Sequence, residues 1–156
     1  MNVRQAVSSD GLLLSSLSVD VQRLHAEHHP EFFKMPKSDD FAVSFFNTLL
    51  ADISVRVFIA EEKGEALGYV VCKSMERPEN PFTFAMRYLF IDQISVRPNA
   101  RGRGVGTALM KQAEGLAGEL GVHKIQLDSW DFNTNAHSFF EGMRFEKFNH
   151  RFWKNL

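Results

Sequence analysis

Cysteine is almost missing from this 156-residue chain, and Cys72 stands alone. An intramolecular disulfide is excluded, and the usage suits a reducing, cytoplasmic setting. Cys72 lies in an apolar strand pattern, which predicts a buried structural thiol rather than a nucleophile. Charge imbalance is missing too. Lys and Arg number 18 against 19 Asp and Glu, for a net charge of −1. That balance offers no strong electrostatic case for nucleic acid or an anionic membrane. No apolar run approaches the length of a membrane span. Leu12-Leu13-Leu14 is too short for a signal peptide, follows no basic segment and sits close to Asp10. Repeats, linkers and low-complexity stretches are absent. With 44% hydrophobic residues, the chain is expected to form one globular domain, 1–156, around one core.

The patterning that is present reads as alternating elements. Asn2 to Val7 is a short strand, and Ser8, Ser9 and Asp10 offer N-caps. Leu14, Leu17, Val21 and Leu24 recur at helical spacing, and Pro30 disfavours helix beyond about His29. Ser38 or Asp39 is expected to cap a second helix that buries Phe41, Phe45, Leu49 and Ile53. Val55 to Glu61 and Ala66 to Lys73 form a hairpin about Lys63-Gly64. Pro78 and Pro81 mark a loop, and Met86 to Val96 is a long strand. A helix follows from about Gly102 to Leu120, with Gly121 as a left-handed cap. Lys124 to Trp130 is a strand, Asn133 to Gly142 a short helix, and Phe145 to Phe148 with Arg151 to Trp153 a terminal strand pair.

The richest stretch is Arg101-Gly102-Arg103-Gly104-Val105-Gly106-Thr107, where the long strand hands over to a helix. Alternating glycines let backbone N–H groups close around a phosphate, and the helix N-terminus and two arginines add positive charge. Three familiar glycine loops fail on spacing. A P-loop needs Lys after its last glycine, and none follows Gly104 or Gly106. A dinucleotide fingerprint read from Gly102 or Gly104 would place its third glycine at Thr107 or Leu109. The protein-kinase loop shares that spacing and needs a catalytic loop that is absent. What fits is Arg/Gln-x-x-Gly-x-Gly/Ala, here Arg101, Gly104 and Gly106. This resembles the pyrophosphate-binding motif of the GCN5-related N-acetyltransferases (GNAT). Downstream, Asn133-Thr134-Asn135-Ala136-His137-Ser138-Phe139-Phe140-Glu141-Gly142-Met143-Arg144-Phe145 is similar to the family's Asn-x-x-Ala-x-x-Phe-Tyr-Glu-x-x-Gly-Phe.

The resemblance implies an α/β GNAT fold: a mixed, mostly antiparallel sheet of about six to seven strands, flanked by about four helices. Two central parallel strands splay in that fold, and acetyl-CoA wedges between them. It implies that main-chain groups of Ile94, Ser95 and Val96 pair with the pantetheine arm. Amides of Gly102, Arg103, Gly104, Val105, Gly106 and Thr107 would hold the pyrophosphate, with Arg101 and Arg103 pairing to its oxygens. Asn133 matches the residue that contacts the arm, and it is equally a plain N-cap. Phe140 stands where the family usually carries a Tyr that protonates the departing thiolate. A general acid is worth about 10²–10⁴-fold, yet a thiol of pKa about 8.5 already leaves fairly well. His137, Ser138 and Tyr88 are alternative donors. A second departure is Arg144 in place of the helix-ending Gly, a role that Gly142 is expected to assume.

Acetyl transfer to an amine also needs the amine neutral. Asp92 and Asp128 are the expected bases, in apolar strands where a carboxylate is costly without a role or a partner such as Arg87. Strand alternation puts Phe90, Asp92 and Ile94 on one face and Leu89, Ile91 and Gln93 on the other, unless a bulge intervenes. The acceptor is expected at His28, His29, Phe33, Tyr88 and Trp130, with His25, Phe32, Met35 and Phe82 nearby. His25 and His29 share a helix face, but Glu27 fits neither zinc-protease spacing, so no metal is expected. The resemblance implies an acetyl-CoA-dependent N-acetyltransferase working on a primary amine of a small molecule or protein, with homodimers common in the family. The rivals are a non-catalytic acyl-CoA sensor and a transferase for another acyl group.

Overall fold

The computed structural model describes residues 1–156. Five strands form one sheet in the order β1 (Asn2–Gln5), β2 (Val55–Glu62), β3 (Glu65–Arg77), β4 (Met86–Val96) and β5 (Ile125–Leu127). The first three pairings are antiparallel, and β4 with β5 is parallel. The helices are α1 (Gly11–His28), α2 (Val43–Ala51), α3 (Val105–Glu119) and α4 (Thr134–Gly142). The sheet therefore has five strands rather than six or seven. Residues 145–156 form no strand, and Phe148 and Phe152 lie exposed. In the other direction, β3 continues to Arg77, four residues beyond the expected Lys73, because it keeps pairing with β4 as far as Met86. No helix is long and apolar enough to cross a membrane.

Each sheet face carries its own buried cluster. On one side, Leu14 and Leu17 of α1 and Phe46 and Leu49 of α2 pack on Ile59, Tyr69 and Val71. On the other, Leu109, Met110 and Ala113 of α3 and Phe140 of α4 pack on Val70, Leu89 and Ile91. Each such aliphatic side chain contributes about 1.5–3 kcal/mol on burial. The second helix starts at Val43 and buries Leu49 as its spacing suggested, with Phe46 turned inward in place of Phe45. Phe46 is buried, whereas Phe41 and Phe45 are exposed and Ile53 lies beyond the helix end.

One turn and one strand position show local chemistry fixing the frame. Lys63 (φ 53°) and Gly64 (φ 82°) both adopt left-handed conformations, the geometry of a tight hairpin turn. Gly68 has no alternative at its position: a Cβ there would stand 2.4 Å from the Ser95 carbonyl oxygen across the β3–β4 pair. The glycine lets β3 lie close against the end of β4.

Candidate active site

The cleft begins where β4 and β5 part. They pair only at Leu89–Ile125, Phe90–Gln126 and Ile91–Leu127. Immediately beyond, β4 bulges. Ile91 pairs with Cys72 and Gln93 with Val71, leaving Asp92 as the extra residue. The bulge overturns strict alternation. Asp92 and Gln93 now share the α1 face, where Asp92 Oδ2 lies 3.1 Å from Lys73 Nζ and the Tyr69 hydroxyl donates to Gln93 Oε1 at 2.7 Å. Burial pushes the Tyr69 hydroxyl above its ordinary pKa, so it stays a donor. Ile94 and Val96 turn to the α3 side. Asp92 pairs with Lys73 and not with Arg87, which meets Glu76 at 3.3 Å.

The backbone of β4 follows the same parity. The Arg97 N–H donates to Leu67 C=O at 2.8 Å, toward β3. A two-residue period aims Ser95 and Gln93 the same way. The main-chain groups of Ile94 and Val96 then lie along the opposite edge, past the last pair with β5. Ser95 has a buried side chain whose hydroxyl donates to Leu17 C=O at 3.1 Å, tying α1 to the end of β4.

The glycine loop is built around two left-handed residues, Gly102 (φ 73°) and Gly104 (φ 80°). The first helical bond of α3 runs from Ala108 N–H to Gly104 C=O at 3.0 Å. None of the backbone N–H groups from Gly102 to Thr107 has a main-chain acceptor in the protein. Six consecutive donors at a helix N-terminus, beside glycines that leave open space on their Cβ side, fit an anion such as a pyrophosphate. Val105 is fully buried and anchors the loop to the core. The arginines differ. Arg101 is exposed, with its Nε donating to Val96 C=O at 3.4 Å, whereas Arg103 is paired with Glu62 of the β2–β3 hairpin. The Glu62 carboxylate also lies 3.7 Å from the N-terminal amine.

Asn133 caps α4: its Oδ1 accepts from Ala136 N–H at 3.3 Å. His137 Nε2 lies 3.0 Å from Trp130 C=O and fastens α4 to the loop after β5, while Ser138 is exposed. Phe140, expected beside the donor, is a core residue at 8% exposure, flanked by the rings of Phe139 and Phe145. A phenyl ring has no polar atom to keep at the surface. Gly142 does not end the helix as a left-handed residue. Arg144 does, at φ 65°, while Phe145 N–H donates to Phe140 C=O at 2.9 Å. The family's glycine position keeps its geometry with an arginine in it, at a cost of about 1–2 kcal/mol.

Four of the five expected acceptor residues converge. His28 and His29 at the end of α1, Phe33 in the next loop and Trp130 after β5 belong to one cluster of rings. Trp130 is its hub, 4.9 Å from Phe33 and 5.0 Å from His29 between centroids. Sequence reasoning missed Phe132, which stacks on His28 at 4.1 Å, and Trp153, which meets Trp130 at 6.0 Å. The one available signal was that Trp130 and Trp153 are the only tryptophans in the chain. Tyr88 stands apart, opposite Met75 on β3. Asp128 is exposed in the irregular segment that follows β5, two residues before Trp130 and outside the strand in which it was expected. Cys72 is buried beneath the bulge, where desolvation pushes its thiol up to about 12, leaving it inert as a nucleophile.

Comparison with known proteins agrees with this geometry. Residues 20–145 match the sequence profile of the Acetyltransferase (GNAT) family. The uncharacterized N-acetyltransferase YhfO of Bacillus subtilis (strain 168) is 26% identical over 147 residues, covering 94% of this chain and 91% of its own. Among solved structures, a tetramutant of the BH1408 protein from Bacillus halodurans superposes with a TM-score of 0.94 at 20% identity, covering both chains completely. The aminoglycoside N-acetyltransferase AAC(6')-Iy in complex with CoA superposes at 0.76 with 19% identity, covering 99% of this chain and 93% of that one. The chain belongs to the acetyltransferase (GNAT) family of acyltransferase enzymes.

Proposed function

We propose that this protein transfers an acetyl group from acetyl-CoA to a primary amine, with residues 1–156 acting as one catalytic domain. The observation that carries the reading is the run of six unpaired N–H groups, Gly102 to Thr107, next to the open β4 edge at Ile94 and Val96. The loop would hold the pyrophosphate, and the strand edge would receive the pantetheine amide groups as a partner strand does. A main-chain N–H on that edge would polarise the thioester carbonyl. In this reading Arg101 and Arg103 lie within the loop that meets the phosphates, and Asn133 sets the start of α4 alongside the arm.

The amine nitrogen forms the new C–N bond, the C–S bond breaks, and the products are an acetamide and the CoA thiol. One proton leaves the attacking amine and one is taken up by the thiolate. This reading assigns the first to Asp92, paired with Lys73 at the bulge, or to Asp128, in the segment after β5, directly or through water. With Phe140 in the core and His137 Nε2 engaged by the Trp130 carbonyl, solvent delivers the second. The solved structure of a relative that holds CoA supports the donor assignment.

Burial of Phe140 also favours one rival, an acyl-CoA-binding protein without turnover. Titration calorimetry with acetyl-CoA, followed by a thiol-release assay over a panel of amines, separates the two. The transferase reading expects binding and amine-dependent thiol release. Binding without release would leave the sensor. No binding, or Gly104→Glu binding like the parent, would overturn the loop assignment.

A further inference from the structure

The aromatic cluster at the end of α1 is not part of the fold's core. Neither buried cluster contains any of its members, and Phe32 and Trp153 are about three-fifths exposed. The other Phe and Trp rings are half-buried, and a surface patch of rings gathered from four separate segments marks a site of interaction. Phe32 lies 5.2 Å from Trp130 and 6.3 Å from Trp153, in tilted and edge-on arrangements.

The histidines supply a second, independent feature. His25 Nδ1 lies 2.6 Å from Val21 C=O, and His28 Nδ1 lies 2.9 Å from Leu24 C=O. His29 Nδ1 lies 3.1 Å from Glu31 Oε1. Carbonyl and carboxylate oxygens only accept, so all three rings carry hydrogen on Nδ1. In the neutral tautomer each Nε2 is then an acceptor, and none of the three has a donor in the protein. Hydrogen-bond acceptors set among ring faces suit a ligand with N–H donors on an aromatic body. They suit a polycation poorly, since that needs several carboxylates. Glu31 is engaged by His29, Lys34 is close by, and only Asp128 and Asp131 remain on the adjoining loop.

The cluster is tied to the β4–β5 junction through the chain itself. Trp130 lies three residues past Leu127, the last residue of β5 paired with β4. We infer that the cluster is the acceptor subsite and that its ligand class is the arylalkylamines, an inference that rests on the transferase reading for its catalytic outcome. The aryl group packs among Phe32, Phe33, Trp130 and Trp153, and the amine donates toward the histidine Nε2 atoms. Acetylation of that amine follows the bond exchange already given: C–N forms, C–S breaks, and CoA leaves as the thiol.

Both tryptophans lie in the cluster, so intrinsic fluorescence reports on it directly. Titrating the CoA-saturated protein with 2-phenylethylamine is expected to give a saturable change at a concentration at least about tenfold below those for n-butylamine, spermidine or kanamycin, from burial of one ring. Phe33→Leu and, separately, Trp130→Phe should each weaken 2-phenylethylamine severalfold and leave n-butylamine unaffected. Equal binding of the comparators, or no saturable response to 2-phenylethylamine, overturns the inference. Thiol release, measured in parallel, keeps the two readings apart. Binding without release upholds the ligand class and overturns the transferase. Release with spermidine or kanamycin but no binding of 2-phenylethylamine upholds the transferase and overturns the ligand class.

Discussion

Phe139 of α4 lies against the bare Cα of Gly106 in the first turn of α3. A Cβ on Gly106 would stand 3.1 Å from Phe139 Cζ. The last glycine of the loop thus serves packing between two helices, whereas Gly102 and Gly104 serve backbone conformation. Gly106→Ala should push the Phe139 ring aside by a few tenths of an ångström, at a cost of about 1 kcal/mol. Thermal melting is expected to fall by a few degrees, and Phe139→Leu in the same chain should recover most of the loss. A double variant no more stable than Gly106→Ala would show that the contact is not the cause.

Gly68 poses a harder constraint, because its neighbour is backbone. A Cβ there would meet the Ser95 oxygen at 2.4 Å and the Val96 Cα at 3.1 Å. No rotamer change relieves either contact. Gly68→Ala should pry β3 from the end of β4, cost about 2–3 kcal/mol, and displace the edge at Ile94 and Val96. The urea midpoint should drop and acetyl-CoA affinity should drop with it. An unchanged midpoint would contradict the close approach of the two strands.

Much of this was legible in the sequence because the signals were local. The Lys63-Gly64 turn, the Gly121 cap and the strand-to-loop handover at Arg101 each depend on a few adjacent residues. The failures came from tertiary choices. Asp92 and Gln93 share a face only because β3 pairs around the bulge, which no alternation pattern encodes. The second helix buries Phe46 rather than Phe45, since contact with Tyr69 on the sheet fixes its rotation. Arg144 takes a left-handed conformation that spacing would assign to glycine, imposed by the Phe145-to-Phe140 bond. The C-terminal segment has strand-like composition, but it pairs with no strand, and Trp153 instead joins rings contributed by His29 and Trp130.

Arg103 cannot serve a phosphate fully while it is paired with Glu62. Glu62→Gln removes that competing charge from the loop's neighbourhood. Acetyl-CoA is expected to bind about two- to fivefold more tightly in low salt, the scale of an exposed ion pair. The gain should shrink at high ionic strength as screening grows. Glu65→Gln, at the exposed start of β3 with no ion-pair partner, should leave affinity unaltered. Equal affinity of Glu62→Gln and parent across the salt range would remove Arg103 from phosphate binding.

Asp10 gives the fold an acid-sensitive joint at the start of α1. Arg4 donates through Nη1 to Oδ2 at 2.7 Å and through Nη2 to Oδ1 at 3.0 Å, and Val7 N–H donates to Oδ2 at 2.7 Å. The Asp10 side chain is 10% exposed. The Arg4 hydrogen bonds, opposed by burial and aided by the Val7 amide, hold its carboxyl below the usual carboxylate range. The unfolded chain, near about 3.9, takes up the proton first as pH falls. The stabilisation is therefore fully present above about pH 5 and is lost progressively as pH drops through the folded-state value. At neutral pH, Asp10→Asn should cost about 2 kcal/mol, the scale of hydrogen bonds to a charged group. Between pH 5 and 2.5 the urea midpoint of the parent should fall more steeply than that of Asp10→Asn, so that the two converge in acid. Parallel curves would show that Asp10 carries no proton linkage and that the joint between β1 and α1 is held by other contacts.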